Sequence, residues 1–133
     1  MPQTHGINHL GLTVLDLEET TRFFVEALGW TEAGRDPAYP RTLVTDGVAR
    51  LTLWQVDRAL RVEPFDRRKN VGLHHVALQV ATEGELHALA GKLKSWPGVT
   101  IEFMPELLGT GPRRHMMLRE PGGLRIELIW AGA

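Results

Sequence analysis

Four positions in this 133-residue chain carry side chains at a spacing suited to one piece of chemistry. His9 and His75 stand 66 residues apart, and Thr52 and Glu127 stand 75 apart. Each pair sits inside matching segments. Ile7-Asn8-His9-Leu10-Gly11-Leu12-Thr13-Val14 lies over Leu73-His74-His75-Val76-Ala77-Leu78-Gln79-Val80, and Arg50-Leu51-Thr52-Leu53 lies over Arg125-Ile126-Glu127-Leu128. A lone strand histidine is ordinarily a core or surface residue. Two imidazoles in register with a carboxylate are a donor set for a divalent ion such as Fe(II), Mn(II), Ni(II), Co(II) or Zn(II). His9, His75 and Glu127 as three protein ligands leave coordination positions open for water or substrate, as metal-assisted catalysis requires. Thr52, at the fourth position, is a poor ligand and a natural β-branched strand residue.

The elements that must position these groups repeat as well. Both histidine segments alternate as half-buried strands do. Leu10, Leu12 and Val14 match Val76, Leu78 and Val80 on one face, and His9, Gly11 and Thr13 match His75, Ala77 and Gln79 on the other. A helix start follows each, with Asp16 and Glu19 or Thr82 and Glu85 at capping-box spacing. Leu17, Phe24, Val25 and Leu28 then recur at helical spacing, as do Leu86, Leu89, Ala90 and Leu93. Gly29 ends the first helix and Pro97-Gly98 follows the second. Strands are expected at 30–35, 42–45 and 48–56 with Asp46-Gly47 as a hairpin turn, and at 99–104, 115–118 and 124–130 with Pro121-Gly122-Gly123 as the turn. The 75-residue offset sets Gly47 on Gly122, and residues 106–114 read as a loop.

Each half therefore reads β-α-β-β-β. The expected fold is α+β: one domain over 1–133, with module one at about 6–56, a linker at 57–71 and module two at about 72–130. Two such modules make a cupped mixed sheet with helices on its outer, apolar face. His9, Thr52, His75 and Glu127 face the concave side, and alternation adds Arg50, Trp54, Arg125 and Ile129.

The sequence resembles the vicinal oxygen chelate superfamily, which includes glyoxalase I, bleomycin-resistance proteins, fosfomycin-resistance thiol transferases, methylmalonyl-CoA epimerases and extradiol dioxygenases. The resemblance rests on the two histidine segments, Asp16-Leu17, Phe23-Phe24, Leu28-Gly29-Trp30 and Glu120-Pro121-Gly122-Gly123-Leu124-Arg125-Ile126-Glu127-Leu128. It implies paired β-α-β-β-β modules cupped around one divalent metal held by His9, His75 and Glu127, and a homodimer in which the cup is either intrachain or shared. The implied activity is chelation of a substrate's vicinal oxygens with stabilisation of an oxyanion or enolate. Lyase or isomerase, thiol-transfer and dioxygenase chemistries stay open. Glyoxalase I would place a carboxylate at Thr52, the thiol transferases a Thr at Gly11, and the dioxygenases a Tyr near Met116-Met117-Leu118. The alternative is a non-catalytic small-molecule binding protein of the bleomycin-resistance type.

Other residues carry further expectations. His115 is either an acid–base group at the cavity mouth or a surface histidine, and no second acidic residue is marked out as a base. Thr52, Trp54, Arg125 and Arg114 are candidate substrate contacts, Arg114 and Arg113 lying beside Gly109-Thr110-Gly111. Tyr39, between Pro37 and Pro40, is a lid residue or a loop anchor. His74 falls on the apolar face by alternation and reads as structural. Arg58, Arg61, Arg67, Arg68 and Lys69 are interrupted by Asp57, Glu63 and Asp66, the pattern of a solvated loop.

Composition narrows the partners. A formal charge of −1 with dispersed basic residues argues against nucleic acid. With no cysteine, thiolate chemistry and disulfides are excluded. No apolar run approaches the roughly 18 residues of a membrane span. Met1-Pro2-Gln3-Thr4-His5-Gly6 lacks a signal-peptide pattern, so a cytoplasmic location is expected.

Overall fold

The computed structural model describes all residues, Met1–Ala133, as two compact units, Met1–Val62 and Glu63–Ala133. In the first, β1 (Leu10–Val14) leads to α1 (Leu17–Arg22), which continues as a π-helical turn at Phe23–Ala27. Then come β2 (Thr31–Asp36), β3 (Arg41–Thr45) and β4 (Arg50–Gln55). The second unit repeats the order with β5 (Val76–Val80), α2 (Glu83–Leu93), β6 (Thr100–Leu107), β7 (Arg114–Arg119) and β8 (Arg125–Trp130). Each unit is a four-stranded mixed sheet, ordered β1-β4-β3-β2 and β5-β8-β7-β6. The outer pairs β1–β4 and β5–β8 are parallel and the others antiparallel. This is the α+β arrangement of two β-α-β-β-β modules. The ladders reproduce the sequence offsets residue for residue: Gly11 pairs with Thr52 and Ala77 with Glu127. No helix is long and apolar enough to cross a membrane.

Both helices start where the capping spacing puts them. Asp16 Oδ1 accepts from the Glu19 amide at 3.0 Å, and Thr82 Oγ1 from the Glu85 amide at 3.1 Å. Glu85 reaches back past the cap to accept from the Ala81 amide at 3.1 Å. The first helix departs from its expected stripe. A wide turn, with the Leu28 amide donating to the Phe23 carbonyl at 3.2 Å, rotates the buried face. Phe23, Phe24 and Ala27 are buried, whereas Val25 and Leu28 are only half-buried. The second helix buries Leu86, Ala90 and Leu93 as its periodicity requires. Against it pack Met116, Leu118, Ile126 and Leu128 from one face of β7 and β8, all essentially inaccessible.

Several boundaries differ from the sequence reading. The ladders begin at Leu10 and Val76, so His9 and His75 each immediately precede a strand. His74, outside the alternating segment, is therefore exposed and not on the apolar face. β6 runs on to Leu107, which shortens the loop expected at 106–114. The turn glycines are not equivalent. Gly47 has φ +98°, but in the second hairpin the left-handed residue is Gly123 at φ +92° and not Gly122.

That second hairpin fixes the register of β8. The Glu120 amide donates to the Leu124 carbonyl at 3.0 Å, and the Leu124 amide donates to the buried Glu120 Oε1 at 3.1 Å. Glu120→Ala leaves a buried amide without its acceptor. The expected loss is about 1–3 kcal/mol of stability, read as a lower urea midpoint.

Candidate functional site

The β7–β8 ladder pairs Met117 with Glu127, His115 with Ile129 and Arg119 with Arg125. Paired residues share a face, and successive residues alternate. His115, Met117, Arg119, Arg125, Glu127 and Ile129 thus line the sheet face opposite α2. On it, the Glu127 carboxylate meets two histidines. His115 Nδ1 lies 2.5 Å from Glu127 Oε2, and His75 Nε2 lies 3.5 Å from Glu127 Oε1. Glu127 and His115 are largely covered, with side chains 12% and 13% exposed, and the His115 ring stacks obliquely on Phe103. His115 is thus no surface histidine.

Proton positions follow from the partners. A carboxylate only accepts, so His115 donates from Nδ1, and in the neutral ring the lone pair is on Nε2. His74 Nδ1 lies 3.3 Å from the Arg125 guanidinium, a pure donor, and 2.7 Å from His75 Nδ1. His74 Nδ1 is therefore the acceptor and His75 Nδ1 the donor. Partial desolvation, then the positive charge of Arg125, holds the His74 imidazole below its ordinary pKa, in keeping with a neutral ring. This leaves the His75 Nε2 lone pair facing Glu127 Oε1. Two acceptors at 3.5 Å are stable only with a second proton on the ring or a cation between them. The spacing suits adjacent ligands of one divalent ion with bonds of about 2.0–2.2 Å. His115, hydrogen-bonded to the other oxygen, stands where a ligand-orienting partner would. No cluster of three His, Asp or Glu side chains is preassembled for a metal.

One layer along the strands lies a second charged group. Arg125, its side chain 7% exposed, donates to both oxygens of Glu102 at 2.8 and 3.0 Å. Arg119 approaches the same carboxylate at 3.9 Å. Glu102 escapes sequence reading because it lies in an irregularity of β6, between Ile101 and Phe103, that breaks alternation. Arg114 belongs to the other face: its guanidinium pairs with Glu83 of α2 at 2.7 Å.

In the first unit, His9 is exposed and its Nδ1 lies 2.7 Å from Asn8 Oδ1. Thr52 and Trp54 occupy the face opposite the buried Leu51 and Leu53. Trp54 Nε1 donates to Thr52 Oγ1 at 3.0 Å. A Cβ at Gly11 would come within 3.2 Å of Thr52 Oγ1, so the missing side chain makes room for this pair. Tyr39 meets the Trp54 ring edge-on and Arg41 stacks over it, tying Tyr39 to its own sheet.

The hydrogen bonds from Arg125 hold the Glu102 carboxyl below the usual glutamate range. A depressed carboxyl stabilises the fold above its unfolded pKa and loses that contribution as pH falls through the folded value. Glu102→Gln is expected to lower stability by about 1–2 kcal/mol at pH 7. The gap between variant and parent should narrow steadily below about pH 4 in urea titrations.

Comparison with known proteins bears on this site. A curated relative, the 2-epi-5-epi-valiolone epimerase of Actinomyces sp., is 28% identical over 151 residues, covering 97% of this chain and 81% of its own length. A glyoxylase/bleomycin resistance protein/dioxygenase domain from Frankia sp. EAN1pec superposes with a TM-score of 0.81 at 23% identity, covering 96% of this chain and 93% of that one. The genomically encoded fosfomycin resistance protein of Listeria monocytogenes gives 0.73 at 19% identity, covering 97% and 95%. The profile of the Glyoxalase/Bleomycin resistance protein/Dioxygenase superfamily matches residues 6–128, and with the repeated modules just described it establishes that the chain belongs to that superfamily.

Proposed function

We propose that this chain is a metal-dependent isomerase or epimerase that removes and returns a proton on a carbon next to a carbonyl. The observation that carries the reading is the Glu127–His115 contact at 2.5 Å. It favours the acid–base role among the two that the sequence left open for His115. With its Nδ1 proton held by the carboxylate, His115 presents an unprotonated Nε2. That nitrogen takes the proton from the carbon, and the bonding pair moves onto the carbonyl oxygen. The resulting imidazolium is stabilised by Glu127. Protonation of the opposite face by water, with His115 giving its proton back to solvent, yields the epimer; return of the proton by His115 to the neighbouring carbon, as the hydroxyl proton passes to the former carbonyl oxygen, yields the isomer. The 28% identical relative, named as an epimerase, supports this class.

His75 and Glu127 would hold the metal, and the resemblance assigns the third ligand to His9. Such an ion supplies Lewis-acid polarisation of the substrate's oxygens. The protein is proposed to act as a homodimer on a small hydroxy-ketone. His75→Ala and Glu127→Ala are each expected to lose the equimolar transition metal of the natively purified protein, measured by plasma emission spectrometry. Retention by both variants would remove the ligand assignment.

His115→Gln keeps a neutral donor to Glu127 but removes the base. Assayed at saturating metal, it should slow exchange of substrate α-protons into D2O by roughly 10²–10⁴-fold. The measurement is proton NMR on a panel of small cyclic and acyclic hydroxy-ketones. Undiminished exchange in the variant would exclude His115 as the base.

A further inference from the structure

The second charged layer opens into a cleft that the proposed reaction does not use. Its volume is about 390 Å³, and it is lined by Arg67, Arg68, Arg119, Arg125, Asp66 and Glu102, with Phe65 at its wall. Four guanidinium groups face two carboxylates. Glu102 is engaged by Arg125 on both oxygens, and Arg119 lies 3.9 Å from the same carboxylate. Asp66 Oδ1 accepts from the Arg68 backbone amide, which shapes the turn. Neither the Arg67 nor the Arg68 guanidinium makes a hydrogen bond or a close ion pair; the Arg67 charge acts on Glu102 from a distance, and Arg68 is exposed at the rim. Arg67 itself is half-buried. The lining thus holds an excess of two positive charges, counting the buried Arg125 that Glu102 orients.

We infer that this cleft binds the dianionic phosphate of a phosphomonoester. A phosphate matches the surplus of two charges, whereas a carboxylate matches half of it. Guanidinium forks suit its tetrahedral oxygens. Its position also names the substrate class. Arg125 precedes Glu127 by two residues on the same face of β8, a rise of about 7 Å. A phosphate held there puts a carbon a few bonds away beside Glu127 and His115. The substrate is therefore a phosphorylated hydroxy-ketone. That last step rests on the proposed function, but the anion site does not.

Two measurements separate them. The first needs no turnover: calorimetric titration of the full chain with inorganic phosphate, against chloride at matched ionic strength and against acetate. Phosphate should bind selectively, and Arg67→Ala/Arg68→Ala should weaken it at least tenfold. Both residues lie in an irregular segment, and circular dichroism checks that the variant is folded. Phosphate no better than chloride, or equal binding by the double variant, overturns the site. The second compares phosphorylated with unphosphorylated hydroxy-ketones in the exchange assay. A preference of tenfold or more in kcat/KM, carried by KM and lost in the double variant, is expected. Selective phosphate binding without that preference overturns the substrate assignment. Absence of exchange with every ketone counts against the proposed reaction and leaves the titration decisive for the cleft.

Discussion

One carboxylate organises the candidate functional face of this protein. Glu127 has one oxygen against His115 and the other beside His75, and it is largely withdrawn from water while doing so. Burying a carboxylate is costly unless its lone pairs are met. His115 meets this requirement at one Glu127 oxygen, and the other, facing the His75 nitrogen at 3.5 Å, is left for a proton or a cation. The register of Glu127 therefore has to be held firmly. β8 is central in its sheet, parallel to β5 on one side and antiparallel to β7 on the other. The two pairings deliver His75 and His115 to the same carboxylate from opposite flanks, so each histidine depends on its own ladder to β8 and the three groups together on both.

The two modules share a scaffold but not a chemistry. Where the second has Glu127 opposite Ala77, the first has Thr52 opposite Gly11. Where the second has His115 paired with Ile129, the first has Arg41 paired with Trp54. In the first unit the result is a neutral hydrogen bond from indole to hydroxyl, with an arginine stacked on the ring. In the second it is a carboxylate between imidazoles. Hydrophobic alternation fixes the backbone in both, which leaves the opposite face free to differ.

Much of this was legible in the sequence. The offsets of 66 and 75 residues carried the repeat, the caps and the strand pairings, because alternation and capping are local signals. The nearness of His75 and Glu127 followed from them. What stayed hidden depended on non-local register. His115 sits on the face of Glu127 only because the tight turn after Glu120 sets the β7–β8 ladder. Glu102 reaches Arg125 only because β6 is irregular there. The wide turn in α1 likewise leaves no periodic trace, since one extra residue per turn shifts the stripe without interrupting it. Arg58, Arg61, Arg68 and Lys69 are exposed, as the solvated loop expected from sequence requires, and only Arg67 is half-buried, beside Glu102, a placement no local pattern marks.

The hairpin pinned by Glu120 carries both Arg119 and Arg125 near its tip and both His115 and Glu127 farther along. Their mutual placement is settled when the chain folds and does not await a ligand. Little ordering entropy then remains to oppose association or reaction there, and dipoles already aimed need no reorientation as charge develops. The same geometry would restrict the proposed substrate: its anionic end and reactive centre would have to match the separation built into two strands.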